Sequence, residues 1–210
     1  MQYFKLPNCH IAFNAKVGSS SLACAIVKKY YPEKLKKALD DYESNWSKYS
    51  QSFKDSLSES FQKMFKNDKL DSISFWQNLC PRTNNPDTKI LLAVRDPVIR
   101  FASTVAYLEI NPEDTIKALE NDENFVIETM AVNIRRNTHF VKQSSLIKPN
   151  TKFYLFPEQL EQLCKDAELD WPIEKVNEGK FPKPNLSEDI IKRIKKYYAE
   201  DIEIYESLKG

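Results

Sequence analysis

Three short runs of apolar residues along the chain are each followed by a polar loop and then by a segment of helical pattern. The runs lie at residues 9–13, 89–94 and 151–156. Apolar runs of this length, bounded by turn residues, are typical of strands buried on both faces of a parallel sheet. The alternation of strands and helices therefore predicts an α/β fold with a small central parallel sheet flanked by helices.

Helices are marked by their ends as well as by their periodicity. A first helix is predicted to begin in residues 21–27 and to end at Pro32. After the second strand, Asp96 supplies a capping side chain and Pro97 suits the first turn of another helix.

The remaining segments are predicted to be mostly helical. Residues 112–141 have helical spacing, and Ser187 is expected to cap a last helix that runs to about Leu208. Residues 30–88 are predicted to form a helical insertion, apart from a loop of turn residues at 80–87. The helical spacing of its apolar residues predicts helices that pack by one face, and the alternative for part of the segment is an acceptor site or a lid.

Composition limits the classes of protein to which the chain can belong. Its 210 residues are 41% hydrophobic and 29% charged, which fits one globular domain over residues 1–210. A formal net charge of +1 gives no global electrostatic basis for nucleic-acid binding, so an anion site has to be built locally. The sequence does not indicate an oligomeric state.

Cysteine spacing and hydropathy bear on the compartment. The four cysteines form no Cys-x-x-Cys pair, which favours reduced, buried thiols in a cytosolic protein. No apolar run approaches the length of a membrane span, and the first residues lack the pattern of a signal peptide. We therefore expect a cytoplasmic protein with no membrane span.

The polar loop between the first strand and the first helix has the features of a phosphate-binding turn. Residues 15–21 contain Gly18, one of only three glycines in the chain. A glycine lets the backbone approach an anion, and the start of a helix adds N–H donors and a favourable dipole. Three consecutive hydroxyl side chains follow the glycine, at Ser19, Ser20 and Ser21.

Lys16 and Val17 stand directly before that glycine. Lys16 supplies a mobile positive charge for an anion in the loop. A Walker A loop has the order Gly-Lys-Ser/Thr, with a hydroxyl that holds magnesium, and this loop departs from that order. The departure predicts a reaction that needs no metal ion.

A second phosphate site is predicted at the end of the second strand. Arg95 stands at that carboxyl end, where open parallel sheets bind their ligands. Ser103 lies eight residues on (103 − 95), about two helical turns, so both side chains can face one pocket. A guanidinium and a hydroxyl suit a phosphate dianion, whereas the neighbouring Arg100 is expected in a surface ion pair. Two such sites predict a ligand with two separated anionic groups.

These motifs resemble those of sulfotransferases that use 3′-phosphoadenosine 5′-phosphosulfate (PAPS). Residues 15–22 are similar to the 5′-phosphosulfate loop, usually Pro-Lys-x-Gly-Thr-Thr-Ser-Leu, with alanine for proline and serines for threonines. Residues 95–103 are similar to the 3′-phosphate motif Arg-Asp-Pro-x-x-Arg-x-x-Ser. Residues 137–143 resemble a His-aromatic-x-x-Gln stretch of the Golgi-type carbohydrate sulfotransferases, and residues 176–177 and 197–203 resemble shorter stretches further on.

The resemblance implies a three-layer, P-loop-like sulfotransferase fold. It also implies transfer of a sulfuryl group from PAPS, as co-substrate and without a metal, to a hydroxyl or amine of a small-molecule or glycan acceptor. Lys16 would neutralise charge on the leaving phosphate, and Arg95 and Ser103 would hold the 3′-phosphate. A loop with Lys180 and Lys183 would close over the nucleotide. The 5′-phosphate would be held by Val17, Gly18, Ser19, Ser20 and Ser21.

The base that takes the acceptor's proton stays open. His10 lies in the first strand and is expected to be a buried structural histidine. His139 lies in the family-like stretch and is expected in the site, as base or as acceptor ligand. The carboxylates Asp40, Asp41 and Glu43 fall where some relatives place a glutamate.

Two other functions stay open as alternatives. One is a P-loop nucleotide kinase, which the order of the loop residues disfavours. The other is a non-catalytic module that keeps the nucleotide pocket but lacks a base. Magnesium-dependent turnover of ATP would favour the first, and binding of 3′,5′-adenosine bisphosphate without any transfer would favour the second.

Overall fold

The computed structural model describes residues 3–37, 40, 79–122, 124–127, 130–133, 139–173 and 182–210. Most of the predicted insertion at residues 30–88 lies outside these ranges. Predicted residues that also lie outside them are Asp41, Glu43, Lys180 and residues 176–177.

A five-stranded sheet lies at the centre of the described fold. Together with a separate hairpin, the described strands are β1 (Tyr3–Lys5), β2 (His10–Ala12), β3 (Arg82–Thr83), β4 (Ile90–Val94), β5 (Asn124–Ile127), β6 (Met130–Asn133) and β7 (Thr151–Leu155). The sheet has the order β3-β1-β2-β4-β7, and β5 and β6 pair separately. The three predicted strands, β2, β4 and β7, are parallel to one another.

The sheet is mixed rather than wholly parallel. Strand β1 runs antiparallel to both β2 and β3, and β3 falls in the stretch 80–87 that was expected to be loop. Unlike β2, which lies inside the apolar run 9–13, β1 and β3 do not belong to a longer apolar run, so the sequence did not indicate them. The α/β class is confirmed; the predicted parallel arrangement holds for β2, β4 and β7, whereas β1 and β3 make the sheet mixed.

Helices cover both faces of this sheet. They are α1 (Ser19–Tyr30), α2 (Pro97–Leu108), α3 (Pro112–Asn121), α4 (Leu160–Asp166), α5 (Glu188–Tyr197) and α6 (Ala199–Ser207). Ile11 and Leu91 pack with α1 and α4 on one face. Leu92 and Val94 pack on the other face with side chains of α6.

Two helix predictions are corrected. The helix predicted over 112–141 ends at Asn121, because Asp122 takes a left-handed conformation with φ of 58°, and the hairpin β5–β6 follows. The last helix is divided at Tyr198, whose φ of −101° and ψ of 34° lie outside the helical region. The predicted caps are confirmed: Asp96 accepts from two N–H groups at the start of α2, and Ser187 accepts from Ile190 N in α5.

The cysteines and His10 lie where the sequence placed them. The four cysteines are free and buried, and all belong to the apolar cluster around α1 and α4. His10 is 2% exposed, and its Nδ1 lies 2.7 Å from Thr88 Oγ1. Among the described residues, no helix is long and apolar enough to cross a membrane.

Candidate functional site

The loop after β2 bends sharply at two residues. Lys16 and Gly18 both have left-handed backbone conformations, with φ of 64° and 76°. At Gly18 a side chain would also collide, since a Cβ atom there would lie 2.9 Å from Phe156 Cε2. The position therefore requires glycine for its conformation and for the close approach of the aromatic ring.

Helix α1 begins at this loop without a capping side chain. Gly18 is its N-cap and supplies no side-chain acceptor, whereas α2 and α3 begin at Asp96 and Asn111, whose side chains accept from N–H groups of the first turn. No side-chain acceptor at the N-cap therefore competes with an anion at the start of α1, and the helix dipole favours an anion there. The three hydroxyl residues of this turn, each 8% exposed, are Ser19, Ser20 and Ser21.

Arg95 contacts the same loop. One guanidinium nitrogen, Nη1, donates a hydrogen bond to the backbone oxygen of Lys16 at 2.8 Å. The guanidinium also lies over the ring of Phe156, 5.6 Å from its centroid, and Phe156 is the residue that contacts Gly18. The structure thus brings Arg95, from the second predicted phosphate site, into contact with the loop of the first.

Among the residues that the structure describes, Lys16 and Arg95 have no close anionic partner. In the part of the chain that the structure describes, no carboxylate oxygen lies within 4.0 Å of a side-chain nitrogen of Lys16 or Arg95. Burial lowers the pKa of Lys16, and the charge of Arg95 lowers it further. Burial also lowers the pKa of Arg95, which Asp96 partly opposes. Paired, partly desolvated cations are stabilised by an incoming anion.

Tyr107 connects Lys16 with His139. The ammonium of Lys16 lies 4.3 Å from the centroid of the Tyr107 ring. On the same ring the His139 imidazole stacks, with the centroids 5.5 Å apart and the planes at 22°. The two residues predicted to be catalytic are therefore held around one aromatic side chain, which the sequence did not single out. Its only signal was its position on α2, four residues after Ser103.

Ser103 is half-buried on α2. Residues four apart lie on one face of a helix, so Ser103 shares the face from which Tyr107 contacts Lys16. The contact of Ser103 with a 3′-phosphate stays a prediction.

His139 is neutral at neutral pH. Burial lowers its pKa to about 4, and the charges of Lys16 and Arg100 act in the same direction. A neutral imidazole can accept a proton or a hydrogen bond, as a base or an acceptor ligand would have to. Of the other residues predicted for the site, the structure describes Asp40 and Lys183, and both are exposed.

The prediction of a surface ion pair for Arg100 is wrong. Arg100 is 1% exposed, and its Nη2 lies 3.8 Å from Oδ2 of Asp201, which is itself fully buried. It also donates to Asn14 Oδ1 at 3.3 Å and to the backbone oxygen of Val141 at 2.8 Å. Sequence reasoning missed this buried pair because the partner lies on α6, far along the chain.

Comparisons with known proteins add no relative: no protein-family model matches the chain, and neither a curated protein nor a solved structure matches it. Within the described ranges, no three His, Cys, Asp or Glu side chains are grouped as ligands of a metal ion. A reaction without a metal stays a prediction, and function has to be inferred from the geometry of the site.

Proposed function

We propose that this chain is a sulfotransferase that moves a sulfuryl group from PAPS to a hydroxyl or amine of an acceptor. The observation that carries the proposal is the hydrogen bond from the Arg95 guanidinium to the backbone oxygen of Lys16. This bond joins an arginine at a strand end to a glycine-containing loop at a helix start. PAPS has a 3′-phosphate for the arginine and a 5′-phosphate for the loop.

The nucleotide would lie across the Lys16 loop and Arg95, with each of its two phosphates on a different set of protein groups. The N–H groups at the start of α1, together with the serine hydroxyls, suit the 5′-phosphate, and Arg95 with Ser103 suits the 3′-phosphate. Lys16 would lie against the oxygen that bridges phosphorus and sulfur. Charge develops on that oxygen as the bond to sulfur breaks, so a cation there acts on the transition state.

The reaction is a direct in-line transfer. The acceptor oxygen or nitrogen attacks sulfur, the bond from sulfur to the bridging oxygen breaks, and 3′,5′-adenosine bisphosphate leaves with that electron pair. The proton of the acceptor passes to the His139 imidazole, which is neutral and stacked beside Lys16 through Tyr107. The acceptor class stays open between a small molecule and a glycan.

The low pKa of His139 favours one competing function. A base with a pKa of about 4 draws a proton weakly, which fits a module that binds the nucleotide without transferring its sulfuryl group. In a catalytic protein, the negative charges of bound PAPS would oppose the effect of Lys16 and raise that pKa.

Calorimetric titration with 3′,5′-adenosine bisphosphate and with 5′-AMP tests the nucleotide site. The bisphosphate should bind the native chain more tightly. Arg95→Ala should weaken bisphosphate binding by roughly tenfold to a hundredfold, the value of a charged hydrogen bond, and should change 5′-AMP binding little. Equal affinity of the native chain for the two nucleotides would refute the proposal.

Transfer from ³⁵S-labelled PAPS to a panel of hydroxyl and amine acceptors separates the functions. Lys16→Ala should lower the rate by roughly 10²–10³ and leave the melting temperature near the native value. Lys117→Ala, at an exposed position of α3, is the matched control. Tight nucleotide binding with no transfer to any acceptor would favour the binding module, and magnesium-dependent hydrolysis of ATP would favour a kinase.

A further inference from the structure

The side-chain amide of Gln143 joins the two strand ends that carry the proposed nucleotide site. Gln143 is fully buried, and its Oε1 accepts from Arg95 N and from Asn14 Nδ2, both at 3.0 Å. Its Nε2 donates to the backbone oxygen of Arg95 at 2.9 Å. One side chain therefore bonds both the N–H and the carbonyl of Arg95 and also bonds Asn14, which stands two positions before Lys16.

This bridge lies where the sheet itself no longer connects the strands. Strands β2 and β4 pair in the register His10 with Ile90 and Ile11 with Leu91. Extending that register would place Asn14 opposite Val94, one residue before Arg95. The Gln143 amide thus continues the connection between the strands beyond their last paired residues, where the chain turns into the two anion-binding segments.

Gln143 is itself held by a buried carboxylate. Asp201 accepts from Gln143 N through Oδ2 and from Ser144 N through Oδ1, both at 2.8 Å. Arg100, the ion-pair partner of Asp201, donates to Asn14 Oδ1 from the other side. Arg100 on α2 and Asp201 on α6 therefore fix the position of the amide. Any rotation of the Gln143 side chain would break at least one of its three hydrogen bonds.

We propose that Gln143 is a positioning residue that sets the spacing between the Lys16 loop and the Arg95 guanidinium. The inference rests on the proposed function, since it concerns how the two phosphates of one nucleotide are bound together. Gln143 touches neither phosphate. It acts through Arg95 and Asn14, and its consequence is preference for a nucleotide that carries the 3′-phosphate.

The test measures the ratio of the dissociation constants for 5′-AMP and 3′,5′-adenosine bisphosphate. Gln143→Met keeps the length of the side chain but removes its donor and acceptor. We expect this ratio to fall by about tenfold or more, approaching that of Arg95→Ala, because Arg95 is no longer held at the distance that the two phosphates require.

Leu146→Ala is the matched control for a loss of stability. Leu146 is 3% exposed in the same segment, and its side chain belongs to the apolar cluster behind β4. The control should lower the melting temperature and keep the native ratio, whereas Gln143→Met should lower the ratio. A Gln143→Met chain that folds and keeps the native ratio would overturn the inference. A native chain with a ratio near one would instead overturn the proposed function.

A measurement on the native chain covers the case in which Gln143→Met does not fold. The backbone N–H of Arg95 donates to the Gln143 amide rather than to a neighbouring strand. Amide hydrogen exchange followed by NMR should show this N–H protected, and 3′,5′-adenosine bisphosphate should slow its exchange more than 5′-AMP does. Rapid exchange at Arg95, or equal slowing by both nucleotides, would contradict the inference.

Discussion

Burial and two neighbouring cations all lower the pKa of the His139 imidazole. Burial is the larger cause of the pKa of about 4, and Lys16 and Arg100 add to it. Since the unfolded chain returns the imidazole to an ordinary pKa near 6.5, the unfolded state binds more protons between these two values. This difference makes the stability of the fold depend on pH.

We expect the free energy of unfolding to fall as the pH falls from about 6.5 to about 4. The contribution of His139 is fully present above pH 6.5 and amounts to roughly 3 kcal/mol at most, from the difference between its folded and unfolded pKa values. Urea denaturation of His139→Gln at pH 7 and at pH 4.5 should show a smaller pH dependence than the native chain.

The second histidine provides the comparison. Burial also lowers the pKa of His10, so His10→Gln should remove a separate part of the pH dependence. If His139→Gln and the native chain lost the same free energy of unfolding between the two pH values, the imidazole would not be held neutral by its surroundings.

The loop that begins α1 depends on its glycine. Gly18→Ala would place a Cβ atom on a left-handed backbone, which costs about 1–2 kcal/mol, and would push against Phe156. Because Phe156 also lies under the Arg95 guanidinium, its displacement should weaken binding of 3′,5′-adenosine bisphosphate as well. Calorimetric titration and thermal denaturation measure the two effects.

Gly210→Ala is the control for this substitution, because a Cβ atom there meets nothing within 4 Å. Native affinity and stability in Gly18→Ala would mean that the loop adapts to a side chain, contrary to the geometry. A loss of stability with unchanged affinity would separate the strain in the loop from the contact through Phe156.

Elements with a strong local signal were predicted well from the sequence. Strand β4 is apolar throughout and buried at every position, and Asp96 with Pro97 marks the start of α2 without ambiguity. The segment after Asn121 was wrongly predicted as helix. There the apolar residues of 125–134 fit a helix and a strand about equally, so their pattern does not show that α3 ends before the left-handed Asp122.

The sequence identified the site residues one motif at a time, but it did not predict the contacts between them. Lys16 and Arg95 each stand beside a local pattern, so the sequence could identify them separately. The contact between them, the stack on Tyr107 and the bonds of the Gln143 amide depend on how the ends of β2 and β4, helix α2 and the segment 139–143 meet. Such long-range packing leaves no periodic or motif signal in one sequence.

The buried pair Arg100–Asp201 connects distant parts of the whole fold. Asp201→Ala would leave the Arg100 guanidinium without its carboxylate and the N–H groups of Gln143 and Ser144 without acceptors. Removing one partner of a buried ion pair typically costs about 3–5 kcal/mol. We expect a loss of this size in the free energy of unfolding, measured by urea denaturation.

Glu203→Ala, two residues further on the same helix and exposed to solvent, should change the stability by less than about 0.5 kcal/mol. A loss in Asp201→Ala that is no larger than this control's would show that water or a rearranged side chain replaces the carboxylate.

The place of Asp201 in the chain also has a consequence for biosynthesis. The ribosome makes Arg100 and Gln143, which this carboxylate contacts, well before it reaches Asp201. It also makes Asn14 earlier, which is bound in turn by Arg100. During translation the nascent polypeptide can therefore form its sheet while the ends of β2 and β4 are still loosely joined. These contacts can form only after Asp201 has left the exit tunnel, so the ability to bind a nucleotide should follow the emergence of α6.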